Sequence, residues 1–263
     1  MRRYLPLAGA GVHALLTYRS MIVLSAITTG AATALQVVLW QAVYAGSDRP
    51  LPVPLDSLIS YVVVAQMLAV LHANRVDEHV SGEVYRGDIA VSLLRPINYP
   101  LSILAANLPA AAITALAAGL PLLTMFALFT SMSWPSPTGL VLFAMALPLG
   151  ALIAFEVNLL VGLTAFTITS TWGVRMMKNA VVGLLAGQVV PLPLLPENIQ
   201  HLVRLLPFQG MIDGPLRLLL GTYGGATEAA GILAVQAFWA LTLAGVAALA
   251  WRGAARRIEV LGG

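Results

Sequence analysis

Cysteine is absent from the 263 residues, only 10 % of them are charged, and lysine occurs once, at Lys178. Without a thiol there is no disulfide scaffold, thiolate zinc site, iron–sulfur cluster or cysteine nucleophile. The shortage of charge excludes more. Soluble domains carry roughly 25 % charged and about 45–50 % apolar residues, whereas this chain is 59 % hydrophobic with a mean hydropathy of +0.87. So few polar groups cannot cover a water-facing surface, which excludes a soluble globular enzyme. A net charge of +3 is too small to point to nucleic acid.

Catalytic signatures are missing as well. A phosphate loop of the G-x-x-x-x-G-K-[ST] kind needs a lysine in that frame, and Lys178 follows Met176-Met177 instead. There is no H-E-x-x-H and no G-x-S-x-G. His13, His72, His79 and His201 are scattered without metal-ligand spacing and read as interfacial histidines. The expectation is a chain that is not an enzyme by itself and holds neither metal nor cofactor.

What the sequence has is long apolar runs. A bilayer core of about 30 Å needs roughly 20 apolar residues in a helix whose backbone bonds are all internal. Six stretches qualify, at about 21–45, 55–74, 99–130, 139–169, 179–195 and 228–251. The third holds Pro109 and Pro121, each of which removes a donor and should kink it. The fifth is short and ends in Pro191, Pro193 and Pro196. Trp40, Tyr44, Trp134, Trp172 and Trp251 near the run ends read as interface anchors. Gly183 with Gly187, and Gly30 with Ala34, permit close helix approach.

Cytoplasmic termini put Arg2, Arg3, Arg19, Arg75, Arg86, Arg95, Arg175, Lys178, Arg252, Arg256 and Arg257 inside, leaving Arg49, Arg204 and Arg217 outside. That bias suits six spans with both ends inside. Residues 1–20 carry two arginines, but Pro6, Gly9, Gly11 and His13 break the apolar stretch. They are therefore read as a retained segment rather than a signal peptide. Val12, Leu15, Leu16 and Arg19 fall on one helical face, as an interfacial helix requires; a disordered leader is the other reading.

Two connections are patterned. Residues 75–96 hold seven of the 25 charged residues, and Val76, Val80 and Val84 form one apolar stripe. Gly87 breaks this helix, and Asp88 is placed to cap a second one that stops before Pro96. Such a segment can lie on the bilayer and offer charge to a cytoplasmic partner, or be a solvated loop without one. Residues 191–227 contain two short helices, with Ile199, Leu202, Val203 and Leu206 on one face of the first and Glu197, Gln200 and Arg204 towards the other. Eight to twelve residues cannot cross, so the pair reads as a hairpin dipping into the outer leaflet or lying on its surface.

Glu156 is the one carboxylate at membrane depth. An ionisable group there costs at least about 2.5 kcal/mol and is a functional candidate, for a proton or a cationic substrate. Asn158, Gln66 or Gln188 could instead satisfy it as a packing residue. Glu156, Asn158 and Gln66 are therefore the candidate pathway residues.

Taken in order, these parts resemble the membrane subunits of type-2 ABC exporters, the ABC-2 type. The likeness rests on Tyr18-Arg19 before the first span and on Glu83-Val-Tyr-Arg-Gly-Asp-Ile-Ala with Leu93-Leu-Arg-Pro96 after the second. It continues in Gly187-Gln-Val-Val-Pro-Leu-Pro-Leu-Leu-Pro196, leading to Leu206-Pro-Phe208 and Pro215. The resemblance implies one all-α polytopic permease domain over 1–263. It has six transmembrane helices, a connecting helix over 1–20, a coupling helix in 75–96 between spans two and three, and an extracellular re-entrant hairpin over 191–227 marked by Pro196, Pro207, Phe208 and Pro215.

By position it makes Asp77, Glu78, Glu83, Arg86, Asp88 and Arg95 contacts to an ATPase. It further implies two copies of an ATP-binding subunit, which would hold the ATP and Mg, and a second permease, identical or homologous. The setting would be a bacterial inner or plasma membrane. An apolar pathway would suit lipophilic drugs, antibiotics, lipids or peptides, hence efflux and resistance as expected roles. The rival reading is a proton-coupled secondary exporter using Glu156, which calls for an internal repeat that is not evident between 1–130 and 131–263.

Overall fold

The computed structural model describes residues 6, 9, 19–48, 51–94, 97–130 and 133–261. The expected interfacial helix over 1–20 falls almost wholly outside them, as do Arg95 and Pro96. Every regular element among the described residues is helical. In chain order the α-helices are α1 (Arg19–Ala45), α2 (Leu55–His72), α3 (Val76–Arg86), α4 (Ile89–Leu93), α5 (Tyr99–Phe129), α6 (Pro137–Leu163), α7 (Trp172–Leu185), α8 (Glu197–Arg204), α9 (Asp213–Leu220) and α10 (Ala226–Leu261), with 3₁₀ turns at Thr164–Phe166, Leu192–Leu194 and Phe208–Gly210.

Among the described residues, five helices are long and apolar enough to cross a membrane: α1, α2 with its continuation α3, α5, α6 and α10. The run expected at 179–195 is not a helix of that length. Its helix, α7, starts earlier, at Trp172, and stops at Leu185 after 14 residues, about 21 Å at 1.5 Å per residue. The early start follows from charge. Arg175 and Lys178 argue against a buried helix when read alone, but each is matched by a carboxylate of α3. The early stop lies at Gly187, which turns the chain at φ 86°, a conformation that costs only glycine nothing. Gly187 thus serves this turn and also lets it lie against α2, where a Cβ would collide with the Tyr61 hydroxyl. α5 runs unbroken through Pro109 and Pro121.

α6 is the axis of the fold. Its Gly150, halfway along the helix, faces the connection between α8 and α9, where an added Cβ would sit 2.9 Å from the Gly210 carbonyl oxygen. At Gly139 a Cβ would meet the Leu218 carbonyl at 3.1 Å, so α9 leans on the start of the same helix. Eleven residues are about three helical turns, which places both glycines on one face. Gly162, near the other end, lies under α3, with Val80 Cβ 2.9 Å and Asp77 Cα 3.2 Å from its Cβ position. α3–α4 and α8–α9 therefore clasp opposite ends of α6. Because the backbone of α3 cannot withdraw cheaply, Gly162→Val is expected to cost about 1–3 kcal/mol, seen as a lower unfolding midpoint in detergent; an unchanged midpoint would contradict this packing.

One core lies between α2, α6 and the hairpin, around Tyr61, Ala65, Ile153, Ile212 and Leu216. Another lies under α3, where the Val76 and Val80 stripe meets Phe155 and Leu159 of α6. Both valines are fully buried. By contrast Leu35 and Val38 of α1, and Phe238, Leu241 and Leu249 of α10, are largely exposed. A chain with its apolar faces turned outward suits a hydrocarbon surround.

Candidate functional site

The candidate site is built at the junction of α2 and α3. Arg75 takes the left-handed conformation, φ 50°, in the short break between α2 and α3. A non-glycine residue held there marks a position that its surroundings over-determine. The surroundings are a polar knot. Lys178 Nζ of α7 donates to Asp77 Oδ2 at 2.9 Å and to Asn158 Oδ1 of α6 at 2.5 Å. Asn158 Nδ2 in turn donates to the His72 carbonyl at 3.2 Å and to Asn74 Oδ1 at 2.8 Å. Asn74 Oδ1 also accepts from the Val76 amide at 3.3 Å.

One half-buried lysine thus ties the first turn of α3 to α6, α7 and the end of α2. A buried pair of this kind is worth most as a constraint, since removing one partner strands a desolvated charge. Beside it Glu78 is held by Arg175 at 3.2 Å and by Arg75 at 3.4 Å.

Further along α3, Glu83 turns inward. It accepts from the Tyr99 hydroxyl at 2.7 Å and faces Ser92 and His79. Tyr99 stacks on Trp251 with centroids 4.6 Å apart, so Glu83 anchors α3 to α4, α5 and the far end of α10. The tip is different. Arg86 and Asp88 pair with each other at 2.8 Å and both remain exposed. Asp88 spends its carboxylate there and gives no side-chain cap to α4. Tyr85, Val91 and Leu94, which flank this tip in the chain, are exposed.

The candidate pathway residues are not brought together. Asn158 belongs to the lysine knot. Gln66 closes a ring of amides: Gln66 Nε2 donates to Gln36 Oε1 at 3.0 Å, Gln188 Nε2 to Gln66 Oε1 at 3.4 Å, and Gln36 Nε2 to the Gln188 carbonyl at 3.1 Å. None of the three amides weighed as partners of Glu156 therefore serves it, and Glu156 is buried without a hydrogen-bond partner among the described residues.

At the opposite end, Pro196 opens α8, Pro207 opens the 3₁₀ turn Phe208–Gly210, and Pro215 lies in the first turn of α9. α8 exposes apolar side chains beside its polar Glu197, Asn198 and His201, and buries Val203. Ile199 and Leu202 are exposed, while Gln200 donates to the Leu195 carbonyl at 2.7 Å and Arg204 faces Asp213 at 3.8 Å. Asp213 also accepts from the Tyr61 hydroxyl at 3.2 Å, and Arg217 bonds Glu228. Burial pushes the Asp213 carboxyl up and the Arg204 guanidinium down, each offset in part by the other's charge. Neither Arg204 nor Arg217 is a free outer cation. The pairing of Lys178 with Asp77, and the roles of Tyr61, Asp213 and Glu228, are not signalled by the sequence, because the partners lie on another helix.

Residues 55–262 match the family model described as ABC-2 family transporter protein. The chain belongs to the ABC-2 transporter family. The match begins at Leu55, where α2 begins, and takes in α3–α4, the hairpin and α10. Neither a curated protein nor a solved structure matches the chain. As an ABC-2 family member with several apolar helices, it is a multi-pass membrane protein of the permease type.

Proposed function

We propose that this ABC-2 protein is one permease subunit of an exporter, driven by ATP hydrolysis in a separate subunit that docks on α3–α4. The supporting observation is the contrast within that segment. Its root is locked to α2, α6 and α7 through Lys178, while its tip at Tyr85–Asp88 is exposed and carries charge. A lever with a fixed root and a free tip passes on a push from a partner. Two ATP-binding subunits and a second permease, identical or homologous, complete the working particle.

The orientation follows from charge: Arg75, Arg86, Arg175, Lys178 and Arg252 share the α3–α4 end, which is therefore the cytoplasmic one. Both termini then lie in the cytoplasm, with α7 and the bend after it serving as the sixth crossing. The hairpin is re-entrant from outside, its tip at the midpoint of α6. Export across a bacterial inner or plasma membrane is the direction proposed.

The test is a charge swap at the tip. Arg86→Asp with Asp88→Arg keeps the local pair but reverses the field the tip presents. ATP-driven transport by the assembled complex is expected to fall at least ten-fold while membrane insertion is unchanged; full transport by the swapped protein would remove α3–α4 as the docking element. The second reading, proton coupling through Glu156, draws support from its lack of a hydrogen-bond partner. Under the ATP-driven reading, Glu156→Gln leaves nucleotide-driven transport within about two-fold. Proton coupling requires it to abolish transport driven by a pH gradient.

A further inference from the structure

A cleft of about 710 Å³ lies between α1, α2 and α5, within the size range of small-molecule sites. It reaches from Arg75 at the α3–α4 end to Gln66 and Gln188. Gln66 lies six residues before the end of α2, about 9 Å along the axis, and Arg75 lies just beyond that end, so the cleft sits within the α3–α4 half of a bilayer core. The ring of Gln36, Gln66 and Gln188 ends it. Beyond the ring the helices close on one another through Val37, Val62, Val63 and Leu122.

The lining is chemically narrow. It has no carboxylate and no aromatic ring among the described residues, and its one charged group, Arg75, already faces Glu78 at the mouth. A permanent cation would find neither a counter-charge nor a ring face, the two devices that stabilise it away from water. What the walls do offer is oxygen. The Thr28 hydroxyl hydrogen is directed to the Leu24 carbonyl at 2.9 Å and that of Thr114 to the Ala110 carbonyl at 2.9 Å. Asn107 Nδ2 is directed to the Ile103 carbonyl at 2.9 Å. These side chains keep oxygen lone pairs for the cleft, and Asn107 keeps its second N–H beside them. Alanine and isoleucine fill the space between them.

We infer that this cleft binds an uncharged amphiphile whose head carries several hydroxyl or amide donors, and that it rejects quaternary ammonium compounds with the same tail. The inference rests on the chain forming half of a translocation pathway, and it names the substrate class of that pathway.

The test uses two photoreactive probes with identical diazirine-bearing alkyl tails, one ending in glucose and one in trimethylammonium. The full-length protein, with the subunits it retains in mild detergent, is reconstituted in phosphatidylcholine nanodiscs, irradiated and mapped by peptide mass spectrometry. The glucoside is expected to mark residues 22–29, 66–74 and 107–114, in competition with excess unreactive glucoside and at least five-fold above the ammonium probe. Asn107→Leu with Thr114→Val is expected to lower this marking at least five-fold while leaving marking of the exposed Leu241 face unchanged. Thr114→Val alone, nearly isosteric, is expected to lower it at least two-fold.

Equal marking by the ammonium probe, or marking indifferent to both variants, overturns the inference. Labelling requires no nucleotide, so it stands or falls separately from ATP-driven transport.

Discussion

Lys178→Met is expected to free the root of α3. Asp77 and Asn158 would lose their shared cation in a site where the lysine and aspartate side chains are only 14 % and 7 % exposed. Stranding one member of a buried pair costs about 3–5 kcal/mol, and every 1.4 kcal/mol is about a factor of ten in an opening equilibrium. The chain has no cysteine, so a single introduced thiol reports without background. With Val80→Cys under the helix, maleimide labelling is expected to accelerate at least a hundred-fold when Lys178→Met is added. Adding Asp77→Leu as well, so that both charges are gone, is expected to return most of the protection, because two apolar groups leave nothing unpaired. A single variant as well protected as its parent would mean that Lys178 does not hold α3.

The second large effect is at the hairpin. Gly150→Leu would drive a side chain into the Gly210 carbonyl and the Met211 backbone, which lie 2.9 Å and 3.5 Å from the position of its Cβ. Backbone on both sides leaves no flexible end to yield, so the hairpin tip must leave α6. Overpacking of this kind typically costs about 1–3 kcal/mol, and a multi-atom side chain against backbone belongs at the top of that range. Met211 is 3 % exposed, and Met211→Cys is expected to react slowly with an impermeant maleimide applied outside. Combined with Gly150→Leu, the rate is expected to rise about a hundred-fold. An unaltered rate would show that the tip does not pack at the midpoint of α6.

Much of this architecture is written in local pattern. The first three apolar runs end close to the helix ends, the Val76 and Val80 stripe is the buried face of α3, and the prolines at 196, 207 and 215 mark where short helices begin. These signals are local because each depends on one element's own period and caps. The chemistry of the junctions is not local. Asp77 and Lys178 are 101 positions apart, and no spacing rule pairs them.

The misplacement of the fifth run has the same cause. Arg175 and Lys178 look like loop charges until α3 supplies Glu78 and Asp77, after which the helix forms through them. Gln66 looks like a partner for Glu156 only while Gln36 and Gln188 are out of view. On α6 the glycines at 139, 150 and 162 are unremarkable in a glycine-rich chain, and only the elements lying against them give each position its meaning.

The central claim is that this chain conducts but does not energise, receiving work through α3–α4. The most direct measurement is uptake of radiolabelled cargo into sealed proteoliposomes holding the purified chain, with and without its ATP-binding subunit, with and without ATP and a pH gradient. Accumulation only when the subunit and ATP are both present is the result expected. Uphill accumulation by the lone chain, driven by the pH gradient in the absence of nucleotide, would contradict it.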